Sequence, residues 1–204
     1  MGHSDITVIV LAGGHSSRLG TDKALLRLDG TRTLLETVVM RMKHLGPEVI
    51  VVSKVAIEIV GARNVTDAIP DGGPLGGLCS GLQAARFSHC LVVACDMPFL
   101  NLRLLSYMAE RPRNYDALVP RLGVGTRAPG IHPLHAIYTK RCLPAIETVL
   151  ASGSRVIRDF YPKVNTVYID GNDINGIDRE CLSFFNINTP QDLAQAQTLL
   201  VDNP

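Results

Sequence analysis

Tryptophan is missing from these 204 residues, and the other aromatics are five phenylalanines and five tyrosines scattered along the chain. That scarcity argues against a base-stacking platform for single-stranded nucleic acid. A surplus of charge is missing too: 20 Lys and Arg against 19 Asp and Glu leave a formal net charge of +1. There is therefore no electrostatic case for nucleic acid or an acidic membrane surface as partner. No apolar run approaches the roughly 20 residues that span a bilayer. The first residues lack a signal-peptide pattern, and Ile6 stands where a myristoylation motif requires a hydroxyl. Cys-x-x-Cys spacing is absent. The five cysteines (Cys79, Cys90, Cys95, Cys142 and Cys181) are odd in number and mostly embedded in apolar runs. Reduced, buried thiols fit this pattern better than a disulfide framework or a zinc site. The expectation is a cytoplasmic protein, with residues 1–204 forming a single domain.

What the chain does have is glycine in the right places. Residues 11–23 read Leu-Ala-Gly-Gly-His-Ser-Ser-Arg-Leu-Gly-Thr-Asp-Lys, directly after the apolar run Thr7-Val8-Ile9-Val10. A buried strand thus empties into a loop whose glycines let backbone N–H groups approach a phosphate, with Arg18 and Lys23 to offset its charge. A P-loop requires four residues between its glycines and then Gly-Lys-Ser/Thr. Here five residues separate Gly14 from Gly20, and Thr21 follows. Gly13-Gly14-His15 likewise breaks the Gly-x-Gly-x-x-Gly dinucleotide fingerprint. An ordinary strand-to-helix turn with two solvated cations would use the same residues.

Short apolar runs at Thr7–Leu11, Val49–Val52, Leu91–Ala94, Ala117–Val119 and Ala136–Tyr138 alternate with segments of helical period. Thr33-Leu34-Leu35-Glu36 is a capping box that opens a helix running to Gly46-Pro47. Leu75, Leu78, Cys79 and Leu82 mark a second helix face, and Leu143, Ile146, Val149 and Leu150 a third. Thr189-Pro190-Gln191-Asp192 opens the last helix. The alternation predicts a three-layer α/β/α domain with a mostly parallel, Rossmann-like sheet. In such sheets ligands gather beyond the carboxyl ends of the strands.

Three further clusters fall where that edge should be. Asp96 ends the run Leu91-Val92-Val93-Ala94-Cys95-Asp96-Met97-Pro98, and one carboxylate with phosphate oxygens and water suits Mg²⁺. Its alternative is an aspartate that satisfies turn N–H groups ahead of Pro98. Asp71-Gly72-Gly73-Pro74-Leu75-Gly76-Gly77 is a second backbone-rich loop opening a helix, where Gly73 and Gly76 would let a nucleotide lie against the main chain. Asn186 and Asn188 share a face if their segment is extended, offering donors and acceptors to a polar ligand; ordinary turn and cap chemistry would also explain them. His132 and His135 lack an acidic or cysteine partner nearby, so His132 is read as loop ahead of a strand and not as a metal ligand.

Taken in order, the motif at 11–23, Gly73-Pro74-Leu75-Gly76-Gly77, Cys95-Asp96-Met97-Pro98, His132-Pro133-Leu134-His135-Ala136 and Asn186-Ile187-Asn188-Thr189-Pro190 resemble the molybdenum cofactor guanylyltransferase family over almost the whole chain. The resemblance implies a nucleotide-diphospho-sugar transferase type of fold and transfer of GMP from GTP to the terminal phosphate of molybdopterin. It implies that Leu11, Ala12, Gly13 and Gly14 line the nucleotide site, with Arg18 and Lys23 on the phosphates. Asp67 would read the guanine, Asp96 would hold Mg²⁺, and Asn186 and Asn188 would contact the pterin cofactor. It also implies transient contact with proteins that supply the cofactor or receive it. Three departures stand out: Ser53 where some members place a nucleotide-contacting Asn, Leu19 for a common Met, and a long segment 122–131 before His132. Related readings are a cytidylyltransferase, a sugar-phosphate nucleotidyltransferase, or a silent nucleotide-binding module. Leu-Ala-Gly-Gly rather than Leu-Ala-Ala-Gly, together with Asp67, favours the guanylyl reading.

Overall fold

The computed structural model describes residues 3–13, 23–28 and 30–202, with Val201 and Asp202 described by backbone alone. Among these, eight strands form one sheet: β1 (Ile6–Leu11), β2 (Glu48–Ser53), β3 (Arg63–Thr66), β4 (His89–Ala94), β5 (Ala117–Leu122), β6 (Gly130–Ile131), β7 (His135–Thr139) and β8 (Thr166–Asp170). Their order is β3-β2-β1-β4-β7-β5-β6, with β8 also paired to β5. Pairing is parallel from β3 through β4 and between β5 and β8. It turns antiparallel at β7, which lies between β4 and β5, and at β6. The long segment before His132 accounts for this change. β6 folds back on Arg121 and Leu122, so 123–129 closes a hairpin and β7 returns beside β5 without a crossover helix.

Side chains of a strand alternate between faces, and β1 shows what covers each. Ile6, Val8 and Val10 pack in a core with Leu35, Val38 and Met42 of α1 (Leu34–Met42). Leu104, Leu105 and Met108 join that core; they belong to α3 (Leu102–Glu110), which follows α2 (Gly73–Ala84) in the chain. Ile9 and Leu11 pack on the opposite face with Leu75, Leu78 and Leu82 of α2 and with Ile146 and Val149 of α4 (Leu143–Ala151). Three layers result, and every residue of β1 is buried. Gly81 makes the close seating of α2 possible: a Cβ there would lie 2.8 Å from Ile9 Cγ2.

The capping box forms as read, with Thr33 Oγ1 accepting from Glu36 N–H at 3.1 Å and Glu36 Oε2 accepting from Thr33 N–H at 2.7 Å. The helix it opens ends at Met42, short of the expected Gly46-Pro47, because Leu45 N–H turns back to Met42 O. Gly46 serves the sheet instead, since a Cβ on it would fall 2.4 Å from the carbonyl oxygen of Ile6. After the short α5 (Gly171–Asn175), the chain closes with α6 (Pro190–Asp202). Phe185, Ile187 and Ala196 from this last stretch share a third apolar cluster with Leu28 and Leu34. That cluster draws residues 185–188 towards the start of the chain. All five cysteines are buried, and none forms a disulfide. No helix among the described residues is long and apolar enough to cross a membrane.

Candidate active site

The carboxyl ends of β1, β2 and β4 and the segment after β3 open on a common cleft of about 400 Å³. Leu11, Ala12 and Gly13 line it from β1, Ser53 and Lys54 from β2, and Ala94, Cys95 and Asp96 from β4. Sheet-like pairing extends past the strands to fix these walls. Ala12 N–H donates to Val52 O at 2.8 Å, and Cys95 N–H to Leu11 O at 3.0 Å. Asp67, Asp71, Gly73, Pro74 and Gly77 complete the side formed by α2. Asp71 and Gly73 both hold left-handed backbone, φ +50° and +59°, and turn the chain into the helix with its N-terminus at the cleft. Unpaired N–H groups of a helix start favour an anion.

Lys23 joins the two halves of this region. Its Nζ donates to Asp96 Oδ2 at 3.0 Å and to Asn188 Oδ1 at 2.6 Å. The main chain repeats the link, with Ile187 N–H donating to Asp96 O at 3.0 Å. Asp192 Oδ2 then accepts from the N–H groups of Asn188 and Thr189, at 2.9 and 2.8 Å. Burial pushes the Asp96 carboxyl above the usual carboxylate range, and the Lys23 ammonium opposes that shift without overcoming it. An acid so placed gains from any further cation.

Asp67 is held differently. Its Oδ1 accepts from Ser80 Oγ at 2.9 Å and from Ile69 N–H at 3.2 Å, while its own N–H donates to Ser53 O at 2.9 Å. The Ser53 hydroxyl is occupied, donating to Val55 O at 2.7 Å and accepting from Asn64 Nδ2 at 2.9 Å. It has no spare donor for a ligand.

Sequence-predicted positions thus divide. Leu11, Ala12, Gly13, Lys23, Asp67, Gly73 and Asp96 meet at the cleft. Gly76 lies behind its wall, where a Cβ would come 3.6 Å from Asp67 Oδ1; Gly77 lines the cleft instead. Asn188 reaches Lys23, whereas Asn186 turns its Nδ2 to Phe184 O at 3.3 Å. Gly14 and Arg18 lie outside the described residues. His132 precedes β7 with Nε2 bonded to Ala128 O, and buried His135 bonds Ser183 Oγ at 2.6 Å. No group of three His, Cys, Asp or Glu side chains that could hold a metal occurs among the described residues.

Three residues escaped the sequence reading. Lys54 lines the cleft one residue beyond β2, a position the strand-end rule could have flagged. Ser80 stands three and four residues after Gly77 and Gly76, a small-residue stripe on one helix face. Arg155 donates from Nε to Asp71 O at 2.8 Å and braces the α2 entry loop; nothing in the spacing of residues 84 positions apart announces it.

The sequence model of the MobA-like NTP transferase domain matches residues 8–166, from β1 to the start of β8. The chain belongs to that family. Within it, a relative named as a probable molybdenum cofactor guanylyltransferase, from Pelotomaculum thermopropionicum, is 40% identical over 195 residues, covering 95% of this chain and 92% of its own. The crystal structure of molybdopterin-guanine dinucleotide biosynthesis protein A from Archaeoglobus fulgidus superposes with a TM-score of 0.80 at 28% identity, covering 96% of this chain and 99% of that one. A 2-C-methyl-D-erythritol 4-phosphate cytidylyltransferase from Thermus thermophilus shares the fold, with a TM-score of 0.70 at 22% identity and 98% of each chain covered. The fold is therefore shared by enzymes named for different bases.

Proposed function

We propose that this chain transfers GMP from GTP to the terminal phosphate of molybdopterin, forming the guanine dinucleotide cofactor and releasing pyrophosphate. The observation that carries the reading is the Lys23 junction. One ammonium joins Asp96, at the end of the glycine-lined nucleotide cleft, to Asn188 in the segment assigned to the pterin. The names of the relatives in the MobA-like family supply the substrate pair.

In the proposed step an oxygen of the acceptor phosphate attacks the α-phosphorus of GTP. A P–O bond forms there as the bond to the β-phosphate breaks, and the electron pair leaves with pyrophosphate. A phosphate monoester has a second pKa of about 6, so it is largely dianionic near neutrality and needs no side-chain base. What the site must overcome is repulsion between anions and charge building on the leaving group. Lys23 supplies positive charge, with Arg18 from the glycine loop as its proposed companion. The N–H groups after β1 and at the start of α2 position the phosphates. Asp67 accepts from the donor edge of guanine, and Asn186 and Asn188 hold the pterin.

Mg²⁺ is the proposed cofactor, and Asp96 the residue that would hold it. The donor set suits the ion: a single hard carboxylate with an upward-shifted pKa, beside a cleft that would bring phosphate oxygens. When bound, the ion would neutralise developing negative charge. The deciding assay is formation of the dinucleotide from molybdopterin-bound cofactor with GTP, run beside CTP. Preference for CTP would replace the guanylyl reading with the cytidylyl one. Tight GTP binding without turnover on any acceptor would mark a silent binding module.

A further inference from the structure

Half of the Asp67 carboxylate is already committed inside the protein. Oδ1 receives Ser80 Oγ–H and Ile69 N–H, which together use both of its lone-pair positions. The Ser80 oxygen in turn accepts from Ala68 N–H at 3.3 Å, so its own proton is left to point at Asp67. Oδ2 has no hydrogen-bond donor among the described residues. The carboxylate packs on the face of α2 that carries Gly76 and Gly77, where Cβ atoms would lie in ordinary contact, 3.6 Å from Oδ1 and 3.8 Å from Oδ2. Ser80 is 5% exposed and does not line the cleft, so it has no direct access to a ligand.

We propose that Ser80 is a positioning residue for base selection. By fixing Oδ1, it turns Asp67 so that a single oxygen, Oδ2, is offered to the cleft with both lone pairs free. Guanine presents two adjacent donors, N1–H and exocyclic N2–H, and an oxygen held in place with both lone pairs free can receive the two together. Cytosine and adenine each bring one exocyclic amino group beside a ring nitrogen that accepts. This inference rests on the proposed contact between Asp67 and the base.

The test is the ratio of dissociation constants for GTP and inosine triphosphate, which differs from GTP by loss of the 2-amino group. Measured by calorimetry, each constant is independent of the fraction of protein that is folded. Wild type is expected to favour GTP, and Asp67→Asn to abolish the preference. Ser80→Ala should shrink it by about fivefold to tenfold, the scale of one hydrogen bond. Ser80→Cys, close in shape but a poorer donor, should lie between wild type and Ser80→Ala, and it is the variant to read if Ser80→Ala yields no folded protein. A ratio unchanged within twofold in the Ser80 variants, with Asp67→Asn losing it, overturns the positioning role. No preference in wild type, or none lost in Asp67→Asn, overturns the Asp67 contact itself.

Discussion

Replacing Asp96 by Asn should separate stability from turnover, and the two effects should have opposite signs. The Lys23–Asp96 contact is 3.0 Å long, with each side chain 17% exposed. At an effective dielectric of about 20, two unit charges at that distance attract by roughly 5–6 kcal/mol. Removing both ions from water costs several kcal/mol each, so the net sign depends on which term wins. The upward shift of the Asp96 pKa says that burial wins. A carboxyl whose folded pKa lies above its ordinary value of about 3.9 makes the fold most stable below that value. That stability is lost as pH rises through the folded pKa. As pH rises towards 7 the wild-type protein therefore bears a growing cost for burying the Asp96 carboxylate. Asn removes that cost and leaves Lys23 bonded to Asn188 Oδ1.

The expected outcome for Asp96→Asn at pH 7 is a stability equal to wild type or greater by up to about 2 kcal/mol. That corresponds to roughly 2–4 °C in Tm for each kcal/mol in a chain of this size. The advantage should vanish below pH 4. GMP transfer should fall by about 10²–10³, the usual consequence of deleting one preorganised electrostatic element. Mg²⁺ should also cease to tighten GTP binding. Thermal scans at pH 4 and pH 7, a pyrophosphate-release assay and GTP titrations with and without Mg²⁺ measure all three. A Tm more than about 4 °C below wild type at pH 7 would refute the balance of terms. Turnover near normal would refute the role given to Asp96.

Other outcomes follow from neighbouring contacts. Asn188→Ala should raise the KM for molybdopterin more than that for GTP, and should lower kcat as well because Lys23 loses its 2.6 Å partner; steady-state kinetics in both substrates would show it, and equal KM changes would count against separate halves. Gly81→Ala would put a methyl 2.8 Å from Ile9 Cγ2 and 3.2 Å from Val52 Cγ2. Overpacking of about 1–3 kcal/mol, offset by roughly 1 kcal/mol of helix propensity, should leave a net loss of up to about 2 kcal/mol in urea unfolding. Burial holds the His135 pKa down at about 3. The fold therefore loses stability as pH falls from about 6.5 towards 3, at up to about 1.4 kcal/mol per pH unit. His135→Gln should flatten that acid limb when wild type and variant are unfolded in urea at pH 4 and pH 7.

The central strands were legible because burial on both faces makes β1, β2 and β4 almost wholly apolar. The capping box and the N-cap at Thr189, which accepts from Asp192 N–H, were legible because their chemistry is local. β3 was not: Arg63-Asn64-Val65-Thr66 pairs along a single neighbour at the sheet edge and needs few apolar side chains. The antiparallel return of β7 escaped too, since a run such as Ala136-Ile137-Tyr138 carries no mark of direction. Within the site, strand-end motifs located Asp96 and the loop after β1. The links from Lys23 to Asn188 and from Ser80 to Asp67 depend on tertiary packing between distant segments, and spacing alone cannot express them.

The Lys23–Asn188 bond also bears on how the protein is made. Its partners lie 165 positions apart. A ribosome that has released β1, β2, β4 and their helices still holds residue 188 back, so the sheet can begin to form while its key cation lacks one of its two tethers. Contacts of such long sequence separation are among the last and slowest to close. Competence for chemistry would then arise only once residue 188 has emerged, as an event distinct from formation of the sheet. A nascent or broken chain ending before Asn188 would carry the glycine-rich cleft without the connection that joins it to the second half of the site.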